Sequence, residues 1–423
     1  MTGGNPAPYP LPTRAPARAP GPRPDEVPVP FARLPLPRSR LRRRLHRHAA
    51  PVLAALLAAG GAPACRPSSA GDARVASPAP VDLAAQVAAL SEPGGYFDSD
   101  NLISNERSYL HVVGALKRLG VRGGAYIGVG PDQNFSYIAH VRPSIAFMLD
   151  VRRDNLIEHL LFKAMFGAAR TRVEYLALLT GRPLPPDPAA WRDRSIEAIV
   201  GYIDSTASTP ASEAAARAAA LDGARRARVP LTEAELATLG RFHGEFIANG
   251  LELRYTSRNR ISRAFYPTLR DLLLERDLEG TRTNYLARED DFQYVKALQG
   301  RDLVIPVTGN LGGDHALAAV GRLVASRGER VSVLYTSNAE DYIMRDGLFP
   351  KFARSVAALP RDGRSVIIRS YFGGFRGAHP FAVPGYISTQ LLQTLDAFAA
   401  QQAAGTPSYV ELVTRDAIDP RPH

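Results

Sequence analysis

The sequence predicts an α/β protein, with a doubly wound, mainly parallel sheet of Rossmann-like, methyltransferase-like type and a helical insertion over about residues 171–283. Three observations predict it. Residues 125–155, "AYIGVGPDQNFSYIAHVRPSIAFMLDVRRDN", read as strand, glycine turn, helix, strand and then an acid. Within them "SIAFMLDV" (144–151) is an almost unbroken apolar run, the mark of a strand buried on both faces of a parallel sheet. Strands and helices alternate again from residue 284 onward, as a sheet covered by helices on both faces requires.

The first 79 residues stand apart. Residues 1–37 are rich in Pro, Ala and Arg and hold little to build a core from, so they read as disordered. "RSRLRRRLHRH" (38–48) is strongly basic, "AAPVLAALLAAGG" (49–61) is apolar, and "APAC" ends on Cys65. That order is the layout of a lipoprotein-type signal. It predicts lipidation of Cys65 and a flexible spacer over 66–79. The apolar run is shorter than the roughly 20 residues a spanning helix needs. A disordered tail is the alternative. One α/β domain is expected over 80–423.

In that domain "NLISNERSYLHVVGALKRLG" (101–120) places Tyr109, Val112, Val113, Leu116 and Leu119 on one helical face, with Gly120 as the stop. A strand (124–130), a short helix (133–142) and a second strand (144–151) follow. "DNLIEHLLFKAMFG" (154–167) is an amphipathic helix. The insertion begins near a proline-rich loop (180–191) and continues through the alanine-rich helix 212–228. A helix follows "PLTEAE", where Thr232 and Glu235 form a capping box. Later come a helix (291–298), a strand (301–310), a helix (314–328), a strand (330–338), a helix (339–347) and a strand (364–372). A helix over 389–402 and a last strand over 408–414 complete the expectation.

Composition narrows the function classes. Hydrophobic residues make up 45% of 423 and charged residues 22%, which fits a globular domain with a sizeable core. The net charge is +11, but residues 1–75 supply nine of those charges, with 12 Arg against three acids. The domain is therefore nearly neutral and no nucleic-acid partner is expected. Cys65 is the only cysteine, which excludes a disulfide within the chain, a cysteine metal cluster and a thiol nucleophile in the domain. No G-x-S-x-G elbow, Walker loop or H-E-x-x-H motif occurs, and the nine His are scattered, so no metal is expected. His159 reads as a structural residue.

The residues that carry chemistry lie in the opening stretch. Gly128 and Gly130 stand at the carboxyl end of a predicted strand, where glycine permits a tight turn and close approach of a ligand to the backbone. Asp132 and Asn134 begin the next helix. Asp150 follows Gly130 by 20 residues, at the end of the next strand, where a carboxylate accepts hydrogen bonds from a ribose diol. A dinucleotide fingerprint would need a third glycine at 133, where Gln133 stands. "VTGNLGG" (307–313) ends a later strand and offers Asn310 to a substrate or cofactor. The glycine-rich "SYFGGFRGAHP" (370–380), with Arg376 and His379, could close over a site.

The wording of "GGYFDSDNLISNERSYLHVV", "YIGVGPDQNFSYIA", "DVRRDN" and "NYLAREDDFQYVKALQGRDLVIPVTGN" resembles a family of uncharacterised bacterial proteins known as a domain of unknown function. That family is related in fold to S-adenosylmethionine-dependent methyltransferases. The resemblance covers about residues 94–375. It implies S-adenosylmethionine as cofactor, with Gly128, Gly130 and Asp150 at cofactor-contact positions. Tyr126 departs from the acid usual in the methyltransferase motif.

Two functions follow from these readings. In one, the protein binds S-adenosylmethionine or a related nucleotide-like ligand at the 128–150 crevice and transfers its methyl group, with no general base identified. In the other, it is an exported protein anchored to the membrane at Cys65 that keeps the fold as a binding or structural module. The two conflict, because S-adenosylmethionine is a cytoplasmic metabolite. A cell-envelope location goes with the second and a cytoplasmic one with the first.

Overall fold

A computed structural model of the chain describes residues 82–257, 265–405 and 407–422. The basic run, the apolar run and Cys65 lie outside them. No helix among the described residues is long and apolar enough to cross a membrane.

The domain opens with helix α1 (Leu83–Leu90), capped by the Asp82 side chain. An extended segment and a 3₁₀ turn (Arg107–Val112) lead into α2 (Val113–Arg118). The predicted helix over 101–120 thus starts only at Arg107. Asn101 adopts a left-handed backbone, φ 53°, which a helix start does not tolerate. Then come β1 (Ala125–Gly128), α3 (Gln133–Val141), β2 (Ile145–Asp150) and α4 (Arg153–Ala168).

Between α4 and residue 283 the described chain forms helices without a sheet strand. They are α5 (Arg172–Leu179), α6 (Ile196–Ser205), α7 (Pro210–Arg226), α8 (Glu233–Asn249) and α9 (Leu269–Leu273). Capping boxes start α5 at Thr171, α8 at Thr232 and α9 at Thr268. The alanine-rich α7 turns Ala216, Ala220, Gly223 and Ala224 inward. At Gly223 it approaches α4 so closely that a methyl group would meet Ala164.

The sheet resumes with α10 (Glu289–Gly300), β3 (Val304–Thr308), α11 (Ala316–Ser326), β4 (Val331–Ser337), α12 (Ala339–Arg345), α13 (Phe349–Ala357) and β5 (Val366–Phe372). It ends with β6 (Ser388–Thr394), α14 (Leu395–Ala403) and α15 (Tyr409–Thr414). Two expectations are corrected here. Residues 389–402 are not one helix: Ser388–Thr394 pair antiparallel with β5, and the helix starts only after Thr394, which caps it. Residues 408–414 are a helix, not a strand, because Ser408 and Glu411 form a capping box.

The six strands lie in the order β3-β2-β1-β4-β5-β6. The first five are parallel and β6 alone runs the other way. An antiparallel edge strand on a parallel sheet is common in doubly wound folds. The molecule is therefore α/β with a Rossmann-like sheet. From β1 the chain steps outward to β2 and β3, then returns to place β4 on the other side of β1. With the right hand that parallel crossovers take as a rule, such an order sends the helices of the two halves to opposite faces. Buried strands explain the apolar runs: β1 is closed to solvent along its whole length, and so is β2 up to Leu149. Pro306 fits because β3 is an edge strand, where a missing N–H costs no ladder bond.

Candidate functional site

In such a sheet the crevice opens beyond the carboxyl ends of the strands, where the order reverses. Here that point lies between β1 and β4. A cavity of about 420 Å³ occupies it, within the range of small-molecule sites. Its walls come from the turn after β1, the ends of β2, β3 and β4, the start of α12, and the segment 95–106 that crosses in front of them.

The turn after β1 is braced from behind. Gly128 has no room for a side chain, because a Cβ would collide with the Asn134 amide and the Tyr126 ring. Gly130 adopts φ 78°, a left-handed conformation that suits glycine. Asn134 is fully buried. Its amide nitrogen donates to the carbonyls of Val129 (2.8 Å) and Pro131 (2.7 Å), and its oxygen accepts from the Tyr126 hydroxyl at 2.7 Å. Tyr126, the departure from the usual acid, thus holds the turn in shape. His159 on α4 donates through Nε2 to the Gly130 carbonyl at 2.9 Å, since a carbonyl can only accept. Burial holds this imidazole down at about 4, so it is neutral at pH 7. Asp132 is buried against the Tyr285 hydroxyl (3.2 Å), and burial pushes its carboxyl up to about 6. Glu158, the residue before His159 on α4, is fully buried, and burial pushes its carboxyl well above the usual range.

Asp150 ends β2 in the cavity wall. Its Oδ1 accepts from the Arg152 backbone N–H (2.9 Å) and from the Arg152 guanidinium (3.2 Å), which also reaches Oδ2 at 3.3 Å. Arg152 in turn donates to the carbonyls of Ser99 and Asp100, tying the crossing segment to the strand end. The loop after β3 is organised by Glu92. Its carboxylate accepts from the backbone N–H groups of Asn310 (2.9 Å), His315 (3.0 Å) and Ala316 (3.3 Å), at the N-terminus of α11. An internal carboxylate therefore fills the anion position that this helix end would otherwise offer. Asn310 lines the cavity, its side-chain oxygen accepting from the Gly312 N–H at 2.8 Å.

The wall after β4 brings Ser337, Asn338 and Tyr342. Ser337 adopts φ 54°, and with Asn101 it is one of two non-glycine residues of left-handed backbone in the lining. Such conformations cluster at functional sites. Phe97 meets Tyr342 edge to face with ring centroids 5.3 Å apart, forming an apolar wall. Glu106 enters from the crossing segment, buried to 1% exposure.

Of the residues expected from sequence, the structure brings Gly130, Asp150 and Asn310 together in the lining. Gly128, Asp132 and Asn134 lie behind the turn, outside that lining, with their polar side chains directed to internal partners. Arg376 and His379 are also outside it: Arg376 pairs with Asp341 at 2.8 Å, and His379 packs against Tyr371 and Phe381. Sequence reasoning missed Glu106, Gln133, Arg152 and Tyr342. Arg152 alone carried a signal, two residues past the strand-end acid. No group of three or more His, Cys, Asp or Glu positioned for a metal ion occurs among the described residues.

Residues 102–184 and 189–418 match a family described as a domain of unknown function, DUF7790. The chain belongs to the DUF7790 family. No curated protein matches it. The DUF7790 match takes in the cavity lining from Ser104 onward, while Gly95, Tyr96, Phe97 and Asn101 precede it.

Proposed function

We propose that the cavity binds S-adenosylmethionine or a closely related nucleoside-bearing cation, and that the protein is of methyltransferase type. The observation that carries this reading is Asp150: a carboxylate at the end of β2, in the wall of a cavity at the point where strand order reverses. A carboxylate is an acceptor only, and two adjacent ribose hydroxyls are donors.

Charge supports the choice of ligand. Among the described lining residues Arg152 is the only cation, and it is engaged with Asp150. Nothing else in that lining would neutralise the phosphates of a dinucleotide. Glu106 and Asp346 add negative charge instead, which favours a ligand with a positive centre. Gln133 in place of the third glycine agrees with that preference. Phe97, Tyr255 and Tyr342 supply the flat apolar surface that a base requires.

Bound S-adenosylmethionine would supply an electrophilic methyl group on its sulfonium. The chain's own part is to hold and orient. Asp150 fixes the ribose, the Gly130 turn admits the ligand against the backbone, and segment 95–106 limits water. Such catalysis works mainly by positioning.

Calorimetric titration of the full-length chain tests the proposal. Micromolar binding of S-adenosylmethionine is expected, weakened at least tenfold in Asp150→Asn, with no comparable binding of NAD. Equal affinity in parent and variant would remove the ribose assignment. Binding of NAD but not S-adenosylmethionine would remove the ligand class.

A further inference from the structure

Glu106 is a buried carboxylate without a cationic partner among the described residues. Its Oε2 accepts from the Tyr335 hydroxyl at 2.6 Å and from Gln390 Nε2 at 2.7 Å, and its Oε1 accepts from the Ser337 hydroxyl. These bonds fix the direction of their neighbours. The Tyr335 proton is committed to Glu106, so the Tyr335 oxygen can only accept from Gln133, whose Nε2 lies 3.3 Å away. That orients the Gln133 amide, leaving its Oε1 as the buried end without a partner among the described residues. Gln133 itself is 5% exposed and lines the cavity with Glu106, Ser337 and Asn338.

Two acceptors therefore stand at one corner of the cavity: the second lone pair of Glu106 Oε1 and the whole of Gln133 Oε1. A buried acceptor left unmet costs about 1–3 kcal/mol. A group that satisfies both must bring at least two N–H or O–H donors, and beside a carboxylate it gains most by being positively charged. A primary ammonium has three donors and a full charge.

We infer that the Glu106–Gln133 corner is a subsite for the primary ammonium group of the ligand, using a carboxylate supplied by the segment ahead of β1. The inference rests on the reading of the cavity as a nucleoside site and adds the recognition of an amine to it.

The test compares S-adenosylhomocysteine with 5′-methylthioadenosine on the full-length chain; both are neutral at sulfur, and the second keeps the nucleoside but lacks the ammonium-bearing chain. The parent is expected to prefer S-adenosylhomocysteine at least tenfold. Glu106→Gln should abolish that preference while leaving 5′-methylthioadenosine within twofold of parent. Gln133→Leu, which spares the bonds to Glu106 from Gln390 and Ser337, should reduce the preference severalfold, and it serves if Glu106→Gln does not fold. Equal loss of both ligands, or no change in preference, overturns the subsite. If the parent binds neither nucleoside, the proposed function fails. The corner is then judged by the thermal shift of parent and Gln133→Leu with millimolar n-butylamine: stabilisation of the parent alone supports the ammonium site, and none, or equal stabilisation of both, overturns it.

Discussion

His159 and Asp132 both support the glycine turn, and they respond to acid in opposite directions. His159 is held at about 4 by burial, against 6.5 in an unfolded chain. The unfolded state therefore takes up the proton first, and the stability this group contributes is lost as pH falls from 6.5 toward 4. Asp132 is held at about 6 against 3.8. The folded state keeps its proton longer, so its contribution is lost as pH rises from 3.8 to 6. Each shift corresponds to roughly 3 kcal/mol at the limit. His159→Gln should gain on the parent by up to about that amount between pH 7 and 4.5, and Asp132→Asn should gain in the reverse direction. Urea unfolding at several pH values reads both, and parallel curves for parent and variants would show that neither group senses its burial. Residue types and spacing made some of this site legible. Asp150 was visible because it follows Gly130 by the interval a βαβ unit imposes. Asn134 and Asp132 share the turn's neighbourhood, yet their side chains point to Tyr126 and Tyr285, partners that only the folded chain brings near. Gln133 was read as a missing glycine, although its amide is the polar lining of the turn.

At the scale of elements, α7 shows how composition becomes geometry. Alanine and glycine on its inner face let it lie against α4, whose other residues brace Gly130. Gly223→Val would force backbone apart, because the added Cβ would meet both Ala164 Cβ and the Ala164 main chain. The expected loss is about 1–3 kcal/mol in urea unfolding, and an unchanged midpoint would mean that the helices are not in firm contact. Periodicity located the parallel strands well, because burial on both faces leaves an unmistakable run of apolar residues. It failed at β6. There Gln390 and Gln393 interrupt the apolar pattern in order to reach Glu106, Ser370 and Arg369 inside the molecule. Local propensity favoured a helix, and pairing with β5 overrode it. For α15 the local signal was present, as Ser408 and Glu411 in capping positions, and the apolar residues between them concealed it.

For the whole domain, the segment from α1 to Glu106 matters more than its lack of regular structure indicates. Glu92 anchors it to α11, Arg152 anchors it to β2, and between these points it forms the front of the cavity. Glu92→Ala removes an acceptor from the α11 N-terminus and should cost about 1–2 kcal/mol. It should also speed cleavage by protease within residues 91–100 and weaken ligand binding. Unchanged cleavage and affinity would show that the segment is held elsewhere. A mainly parallel sheet could be anticipated from alternating elements, but the front wall could not. It depends on one carboxylate meeting three backbone N–H groups more than 200 residues later.

The bond between Glu106 and Gln390 spans 284 positions of the chain. It gives the site a place in time. As the polypeptide leaves the ribosome, the glycine turn and Asp150 are made early, while Glu106 gains its Gln390 partner only with β6, the last strand of the described sheet. A nascent chain stopped before β6 would hold Glu106 against Tyr335 and Ser337 but without Gln390. The corner of the cavity would thus reach its full set of bonds only once β6 has been made.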